Sequence, residues 1–252
     1  MNIKKLIPFY KNYVRAMSRL SALEMSFEYV LKNPEYVDDS RWAFNAQNHR
    51  QKIFCDLASA LGFASVFETG TFMGNTTGFM RKRVDCPVIT SEISATFQTV
   101  AKKRLEKIDG ITFMLGDSRK FLMENLSRNS LLKCKSPLFF YLDAHWHDDL
   151  PLFEEIEIIG QFARESVIMI DDFAVPGDRD YSYDNYGPGK SLDIETFGSC
   201  FANQGFRVYF PSISGKEETG GKRGCVILVG GDSLCQQVDK LKSITRYIPR
   251  IK

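Results

Sequence analysis

Five short apolar runs, separated by amphipathic stretches, constrain the fold of this 252-residue chain more than any other feature. The runs are four or five residues long, aromatic or β-branched and hardly alternating: Ser65–Glu68, Pro87–Ser91, Ile111–Leu115, Leu138–Leu142 and Val167–Ile170. Such runs are typical of strands that are buried on both faces. The stretches between them have helical periodicity, near Thr76–Arg83, Ala95–Ile108, Ser118–Leu126 and Pro151–Ala163. This alternation predicts a mostly parallel sheet with helices on both sides.

The rest of the chain extends this pattern to a Rossmann-like, doubly wound α/β sheet of about seven strands. A loop rich in Gly, Tyr and Asp, Val175–Lys190, precedes a helix near Leu192–Asn203. Two more strands follow, Arg207–Phe210 and Cys225–Val229, and we expect the last one to run antiparallel. Residues 1–61 are expected to form a helical N-terminal extension, with a second helical run starting near Ser40. We therefore divide the chain into this extension and one α/β domain, residues 62–252.

Composition excludes several classes of protein. The chain is 44% hydrophobic and 25% charged, which is typical of a packed globule and not of a disordered or coiled-coil protein. Lys plus Arg number 33 and Asp plus Glu number 31, so charge gives no indication of nucleic-acid binding. No stretch is long and apolar enough to predict a transmembrane helix.

Cysteine usage and the N-terminus bear on localisation. The six cysteines are scattered without metal-ligand spacing, and no secretory leader is evident, so we expect a cytoplasmic protein with reduced thiols. The first acidic residue, Glu24, follows five basic ones. This basic segment leaves a weak peripheral membrane contact open, although a solvated helix face is the simpler interpretation.

Each predicted strand ends at a carboxylate or one or two residues before it. These carboxylates are Glu68, Glu92, Asp117, Asp143 and the pair Asp171 and Asp172. Acidic residues are depleted in strands and costly when they are buried without a partner. Ligands of doubly wound sheets bind beyond the carboxyl ends of the strands. Five carboxylate positions at that edge therefore predict a binding site.

The turn after the first strand indicates which ligand binds there. It begins at Glu68 and contains Gly70 and Gly74, which allow a tight turn and close backbone approach at a helix N-terminus. Phe72 replaces the second glycine of the dinucleotide motif, and no Gly-Lys-Ser/Thr follows, so neither a dinucleotide nor a P-loop signature is present. Glu92 is placed to accept ribose hydroxyls. Asp117 and Ser118 are placed to bind adenine, although a purely structural glycine turn stays the alternative.

With these motifs, the sequence resembles the class I S-adenosylmethionine-dependent methyltransferases. It looks closest to the metal-dependent O-methyltransferases of the catechol and macrolide-sugar type. The resemblance covers roughly residues 62–230 and rests on ETGTFMGNT, SEI, GDS, YLDAHW and IDDF, in that order. It implies that the glycine turn holds the methionine part of S-adenosylmethionine. The cofactor-binding residues that it implies are Glu68, Gly70, Thr71, Phe72, Gly74, Thr76, Glu92, Ile93, Asp117, Ser118 and Asp143.

YLDAHW and IDDF together suggest a metal site. Asp143 and Asp171 are separated by enough chain for one helix and one return strand, so both reach the same edge, with Asp172 beside them. Three hard oxygen ligands suit Mg²⁺ or Mn²⁺, and the resemblance assigns this triad to Asp143, Asp171 and Asp172. The alternative is that Asp172 only caps a loop and Asp143 only contacts the amine of the cofactor.

The general base is less well defined than the metal triad. His145 and His147 directly follow Asp143, and either imidazole titrates near neutral pH. Catechol-type relatives have a lysine where this chain has Trp146, and the sugar enzymes often have an acid where it has His145. We favour His145 as the base, then His147, with Asp143 as a third candidate.

The leading hypothesis is transfer of a methyl group from S-adenosylmethionine to a hydroxyl, assisted by a divalent metal. A small polyhydroxylated acceptor is expected, such as a sugar of a surface polysaccharide or a secondary metabolite. Tyr181, Tyr183 and Tyr186 of the loop are candidates to line its pocket. The alternatives are a nicotinamide-dependent oxidoreductase and a cofactor-binding protein without catalysis. A nucleic-acid substrate fits poorly, and whether the chain forms a homodimer stays open.

Overall fold

A computed structural model of the protein describes Lys32 and residues 40–127, 136–144 and 149–249. Within these residues, eight strands form one sheet with the order β3-β2-β1-β4-β5-β7-β6-β8. The strands are β1 Ser65–Thr69, β2 Val88–Glu92, β3 Ile111–Leu115, β4 Leu138–Leu142, β5 Ser166–Ile170, β6 Phe206–Pro211, β7 Val226–Gly230 and β8 Ile244–Arg246.

Helices cover both faces of the sheet. They are α1 Asn48–Leu61, α2 Asn75–Arg81, α3 Ala95–Arg104, α4 Ser118–Ser127, α5 Leu152–Phe162, α6 Ile194–Asn203 and α7 Asp232–Val238. In the described ranges, none of the helices is both long and apolar enough to cross a membrane.

Strand directions confirm the predicted fold class. Strands β1 to β5 pair in parallel, and β7 runs antiparallel to both β5 and β6, as expected for the last predicted strand. The sequence did not predict β8, which pairs antiparallel with β6. It also did not predict helix α7. Both elements are short, and β8 has only three residues, too few for a periodic signal.

Strand β4 separates the two halves of the hydrophobic core. Phe139 and Tyr141 project to the face covered by α1, α2 and α7, whereas Phe140 and Leu142 project to the face covered by α4, α5 and α6. All four side chains are at most 1% exposed. Because successive side chains of a strand point to opposite faces, this run needs an apolar layer on each side, and the helices provide both layers.

Helix α1 belongs to this core. Ile53, Phe54 and Leu57 are fully buried in the cluster that contains Phe139. The helix ends at Gly62, whose φ of 60° is the left-handed conformation of a helix C-cap. The division at residues 61 and 62 stays a prediction. Most of the predicted extension, residues 1–31 and 33–39 with the basic segment, lies outside the described residues.

The predicted helical run near Ser40 is confirmed only in part. Short helical turns over Ser40–Trp42 and Ala43–Ala46 precede α1, but Phe44, Asn45 and Ala46 have left-handed φ values of 52°, 58° and 59°, so the run is not one regular helix. The backbone N–H of Phe44 donates to Thr76 Oγ1, and the carbonyl of Asn45 accepts from the N–H of Gly221. Contacts to distant segments therefore replace the local helical hydrogen bonds, which residue periodicity does not reveal.

We predict that Phe54→Ala destabilises the whole domain. The Phe54 ring centroid lies 5.1 Å from that of Phe139 and 5.8 Å from that of Phe44, with no exposed surface. Its truncation should lower the free energy of unfolding by about 3–5 kcal/mol, against about 0.5–1.5 kcal/mol for Ile53→Val. Urea denaturation followed by circular dichroism measures both. A loss below about 1 kcal/mol for Phe54→Ala would show that α1 is not part of the cooperative core.

Candidate functional site

The turn between β1 and α2 lies directly on the end of β4. The N–H groups of Gly70 and Thr71 both donate to the carbonyl of Ser91, at 3.0 and 3.1 Å, which ties the turn to β2. Gly70 has a φ of +85°, and a Cβ there would lie 2.3 Å from the carbonyl oxygen of Asp143. Only glycine allows this approach, so the turn and Asp143 form one surface.

A cavity of about 410 Å³ opens over this edge of the sheet. Seven of the residues predicted for the cofactor line it: Gly70, Phe72, Glu92, Ile93, Asp117, Ser118 and Asp143. A second cavity of about 550 Å³ shares Gly70, Phe72 and Asp143 with the first and adds the predicted residues Thr71 and Thr76. Glu68 and Gly74 line neither of these two cavities. Gly74 packs on Leu105 instead, where a Cβ would lie 2.8 Å from the side chain.

Glu92 is held in place at the end of β2. Its two carboxylate oxygens accept from the N–H groups of Phe72 and Ser94, each at 2.8 Å. Burial raises the pKa of Glu92, and the backbone donors oppose that rise. The side chain is 7% exposed, at the cavity wall. A carboxylate fixed in this way can accept further hydrogen bonds without reorganisation.

Asp117 is held by an arginine that the sequence analysis did not single out. The guanidinium of Arg119 lies 2.5 Å from Asp117 and 2.8 Å from Asp149. Hydrogen bonds from Arg119 hold the pKa of Asp117 below its usual value. Both aspartates line the cavity, so Arg119 connects the end of β3 to the segment that precedes α5.

Glu68 lies beneath the turn and is fully buried. One of its oxygens, Oε2, accepts hydrogen bonds from the hydroxyls of Thr77 and Thr90, the latter at 2.7 Å. The other, Oε1, has no hydrogen-bond partner among the described residues. Burial raises the pKa of Glu68 to about 8. At neutral pH the group is therefore mostly a neutral acid that supports the turn.

The three predicted metal ligands do lie together. Asp143 follows β4, and Asp171 and Asp172 follow β5, whose backbone is paired with β4. The Tyr141 hydroxyl donates to Asp171 and lies 3.4 Å from Asp143 Oδ2. Burial and the neighbouring charges of Asp171 and Asp172 raise the pKa of Asp143 well above its usual value. The structure thus brings the three carboxylates of the predicted triad to one edge of the sheet.

Two arginines that the sequence analysis did not identify hold this cluster. Arg50, on α1, is ion-paired with Asp171, and both side chains are only 1% exposed. Arg223, in the loop before β7, lies 2.6 Å from Asp172 and also pairs with Asp184. Burial and the Asp171 charge raise the pKa of Asp172 to about 7, and Arg223 opposes that rise.

The described residues do not fit the Mg²⁺ or Mn²⁺ that the sequence predicted. Among them, no group of three or more His, Cys, Asp and Glu side chains has a geometry that could hold a metal ion. Asp171 already accepts at least four hydrogen bonds, and Asp172 is paired with Arg223. The two histidines proposed as bases, His145 and His147, lie outside the described residues.

The far side of the first cavity is lined by Asn45, Asp172, Asp184 and Tyr186. Of the three loop tyrosines, only Tyr186 lines it, and its hydroxyl donates to Asp184. Tyr181 is buried and Tyr183 is 43% exposed, away from this lining. Asn45 and Asp184 carried no sequence signal, because each reaches the cavity through a long-range contact.

The fold is shared with solved methyltransferases. An O-methyltransferase from Bacillus cereus in complex with SAH matches with a TM-score of 0.56 and 19% identity, over 84% of this chain and 91% of that one. TomG, an O-methyltransferase from Streptomyces achromogenes involved in tomaymycin synthesis and solved with SAM, matches with a TM-score of 0.54 and 18% identity, over 85% and 90%. A putative O-methyltransferase from Klebsiella pneumoniae gives 0.54 and 16%, over 87% and 95%.

By sequence alone, no family model and no curated protein matches the chain. The structural matches show that the chain has the class I methyltransferase fold. They confirm, at the level of the fold, the resemblance that the five motifs indicated.

We predict that Glu68→Gln flattens the pH dependence of stability. In the unfolded chain Glu68 ionises near pH 4.5, whereas the folded protein keeps this proton up to about pH 8. Because the unfolded state loses its proton first, wild-type stability should fall as pH rises through this window, by up to about 1.4 kcal/mol per unit, and then level off. The glutamine variant should lack the part of this loss that comes from Glu68 and keep the part that comes from Asp143 and Asp172, whose pKa values are also raised. Urea unfolding at intervals between pH 5 and 8.5 measures it.

The matched control is Glu157→Gln, which changes an exposed glutamate of α5. Its stability profile should follow that of the wild type. Parallel profiles for Glu68→Gln and the wild type would contradict a protonated Glu68.

Proposed function

We propose that this protein transfers a methyl group from S-adenosylmethionine to a hydroxyl of a small, polyhydroxylated acceptor. The observation that carries the proposal is the first cavity, which is lined both by seven of the predicted cofactor residues and by a second group of polar side chains. A transferase needs both ligands in one enclosure, because the reacting atoms must be held in line and close together.

The cofactor half supports S-adenosylmethionine. Glu92 would accept the two ribose hydroxyls, and Asp117 with Ser118 would bind the adenine. The exposed side chains of Phe72 and Ile93, 39% and 75% exposed, would cover the base. The methionine part would lie along Gly70 to Thr76 and reach Asp143. Apart from Glu68 and Gly74, the residues that the sequence indicated line the two adjoining cavities.

The acceptor half supports a neutral ligand that is rich in hydroxyls. Asp172, Asp184 and Asn45 present hydrogen-bond acceptors to the cavity, with Asp143 at its base. Hydroxyl groups donate well to carboxylates. A phosphate or carboxylate group would meet the oxygens of Asp172 and Asp184, which share the single guanidinium of Arg223, so negative charge is in excess there. A sugar of a surface polysaccharide or of a secondary metabolite has this chemistry. A neutral carbohydrate acceptor is therefore our proposal.

The chain's own contribution is orientation and removal of a proton. S-adenosylmethionine supplies an electrophilic methyl group on a sulfonium. Asp172 and Asp184 would hold the acceptor so that one oxygen lies in line with that methyl group. A base near Asp143 would take the hydroxyl proton, and His145, His147 and Asp143 itself remain the candidates.

The protein is proposed to act in the cytoplasm.

We predict that the wild type binds S-adenosylmethionine and that Glu92→Ala weakens this binding at least about tenfold. Charge-assisted hydrogen bonds contribute about 1.5–3 kcal/mol each, and 1.4 kcal/mol corresponds to a factor of ten. Isothermal titration calorimetry measures the affinity. Glu106→Ala is the matched control, because Glu106 is an exposed carboxylate whose partner is Lys103.

Two results would contradict the cofactor assignment. One is failure of the wild type to bind S-adenosylmethionine at millimolar concentration. The other is tighter binding of NAD in the same titration, which would favour an oxidoreductase on a related fold. Thermal unfolding of each variant shows whether a loss of binding reflects a loss of fold.

We predict that the protein methylates neutral acceptors in preference to phosphorylated ones. With methyl-labelled S-adenosylmethionine, neutral polyols and sugars should take up label, while their phosphorylated counterparts should take up at least about tenfold less. Asp184→Asn should raise the acceptor KM by about tenfold and leave the affinity for S-adenosylmethionine unchanged. Preferential labelling of phosphorylated acceptors would contradict the assigned acceptor half.

A further inference from the structure

The pairing of Arg50 and Arg223 with the carboxylate cluster bears on a property other than the proposed transfer reaction, namely whether the site binds a metal ion. We propose that Asp143, Asp171 and Asp172 take no divalent cation, because the guanidinium groups of Arg50 and Arg223 hold the place of a metal. The inference rests on the proposed function, since it concerns the acceptor side of the same cavity. It departs from what the resemblance to metal-dependent enzymes implied.

The hydrogen-bonding capacity of Asp171 is used by the protein itself. Its Oδ1 accepts from the guanidinium of Arg50 and, at 2.7 Å, from the N–H of Asp172. Its Oδ2 accepts from the hydroxyl of Tyr141 and, at 3.1 Å, from the amide of Asn45. A carboxylate offers about four lone-pair sites, so these donors account for all of them. A metal ion that bound Asp171 would have to displace one of these donors.

Displacing Arg50 would break more than one contact. Its guanidinium also donates to the carbonyl oxygens of Arg223 and, at 3.1 Å, of Gly224. Removing one partner of a buried ion pair is strongly destabilising, because the other charge stays buried and unpaired. Arg50 is therefore a fixed part of the site and not a side chain that yields to an entering ion.

The backbone of Arg223 is held in place by the side chain of Gln47. The side-chain amide of Gln47 donates to the carbonyl of Arg223 at 2.8 Å and accepts from its N–H at 3.0 Å. With the backbone held, the guanidinium bridges Asp172, which follows β5, and Asp184, which lies in the Val175–Lys190 loop. Both carboxylates therefore face the cavity with a cation already between them.

These contacts place two positive charges, those of Arg50 and Arg223, beside the carboxylates of the site. Arg50 and Arg223 already compensate the charges of Asp171 and Asp172, so a divalent ion would find little uncompensated carboxylate charge there and would be repelled by both guanidinium groups where little water screens them. Mg²⁺ also requires near-octahedral oxygen ligands at about 2.0–2.1 Å. The proposed reaction then has no metal-bound hydroxyl, so a side-chain base has to remove the proton and Arg223 positions the carboxylates that hold the acceptor.

Mn²⁺ binding to the full chain tests the inference without any acceptor. After treatment with EDTA and desalting, electron paramagnetic resonance of added Mn²⁺ should show no binding tighter than about 1 mM for the wild type. Arg223→Met releases Asp172 and Asp184 and should raise the affinity for Mn²⁺ at least about tenfold. Arg207→Met is the matched control, because Arg207 pairs with Asp232 and does not line the cavity. It should bind no more Mn²⁺ than the wild type.

Two results would overturn the inference. One is stoichiometric Mn²⁺ binding by the wild type that Asp171→Asn abolishes. The other is an unchanged affinity in Arg223→Met, which would show that this arginine does not exclude the ion. Calorimetry of S-adenosylmethionine on the same EDTA-treated wild type separates the two proposals. Cofactor binding with no Mn²⁺ binding supports both, whereas Mn²⁺ binding with cofactor binding overturns only the inference.

Discussion

The buried ion pair between Arg50 and Asp171 is the contact on which the rest of the site depends. Both side chains are almost without exposed surface, so each charge relies on the other for compensation. The pair joins helix α1 to the end of β5, and through the carbonyl groups of Arg223 and Gly224 it also fixes the loop before β7. Three segments far apart in the chain are thereby locked at one point beneath the cavity.

Tyr141 belongs both to the hydrophobic core and to the candidate site. Its ring lies in the core, 5.1 Å from that of Phe44, while its hydroxyl donates to Asp171. The left-handed turn at Phe44 and Asn45 also connects the core to the site, because it buries the phenylalanine and directs the asparagine amide to Asp171. The apolar layer that stabilises the sheet therefore also sets the position of the carboxylates.

Much of the fold was predictable because its signals are local. Each buried strand shows an apolar run of its own, and Gly62 marks the end of α1. The carboxylates were predictable as a group, since parallel strands end at one edge of the sheet. Strand β8 was not, because three residues on an edge carry no pattern. The metal was predicted from ligand types, motif spacing and the family resemblance, and nothing local indicates that Asp171 and Asp172 are paired with arginines.

The sequence by itself determined the alternation of strands β1 to β5 with helices along the chain, the glycine turn and the identity of the acidic groups at the carboxyl edge. These follow from side-chain periodicity and from the conformational freedom of glycine, which act over a few residues. Only the tertiary structure decided the partners of those groups. Arg50 and Asp171 are 121 positions apart, and such a pairing is set by how the layers pack. Burial, which sets pKa values and ion pairs, is likewise a property of the whole fold.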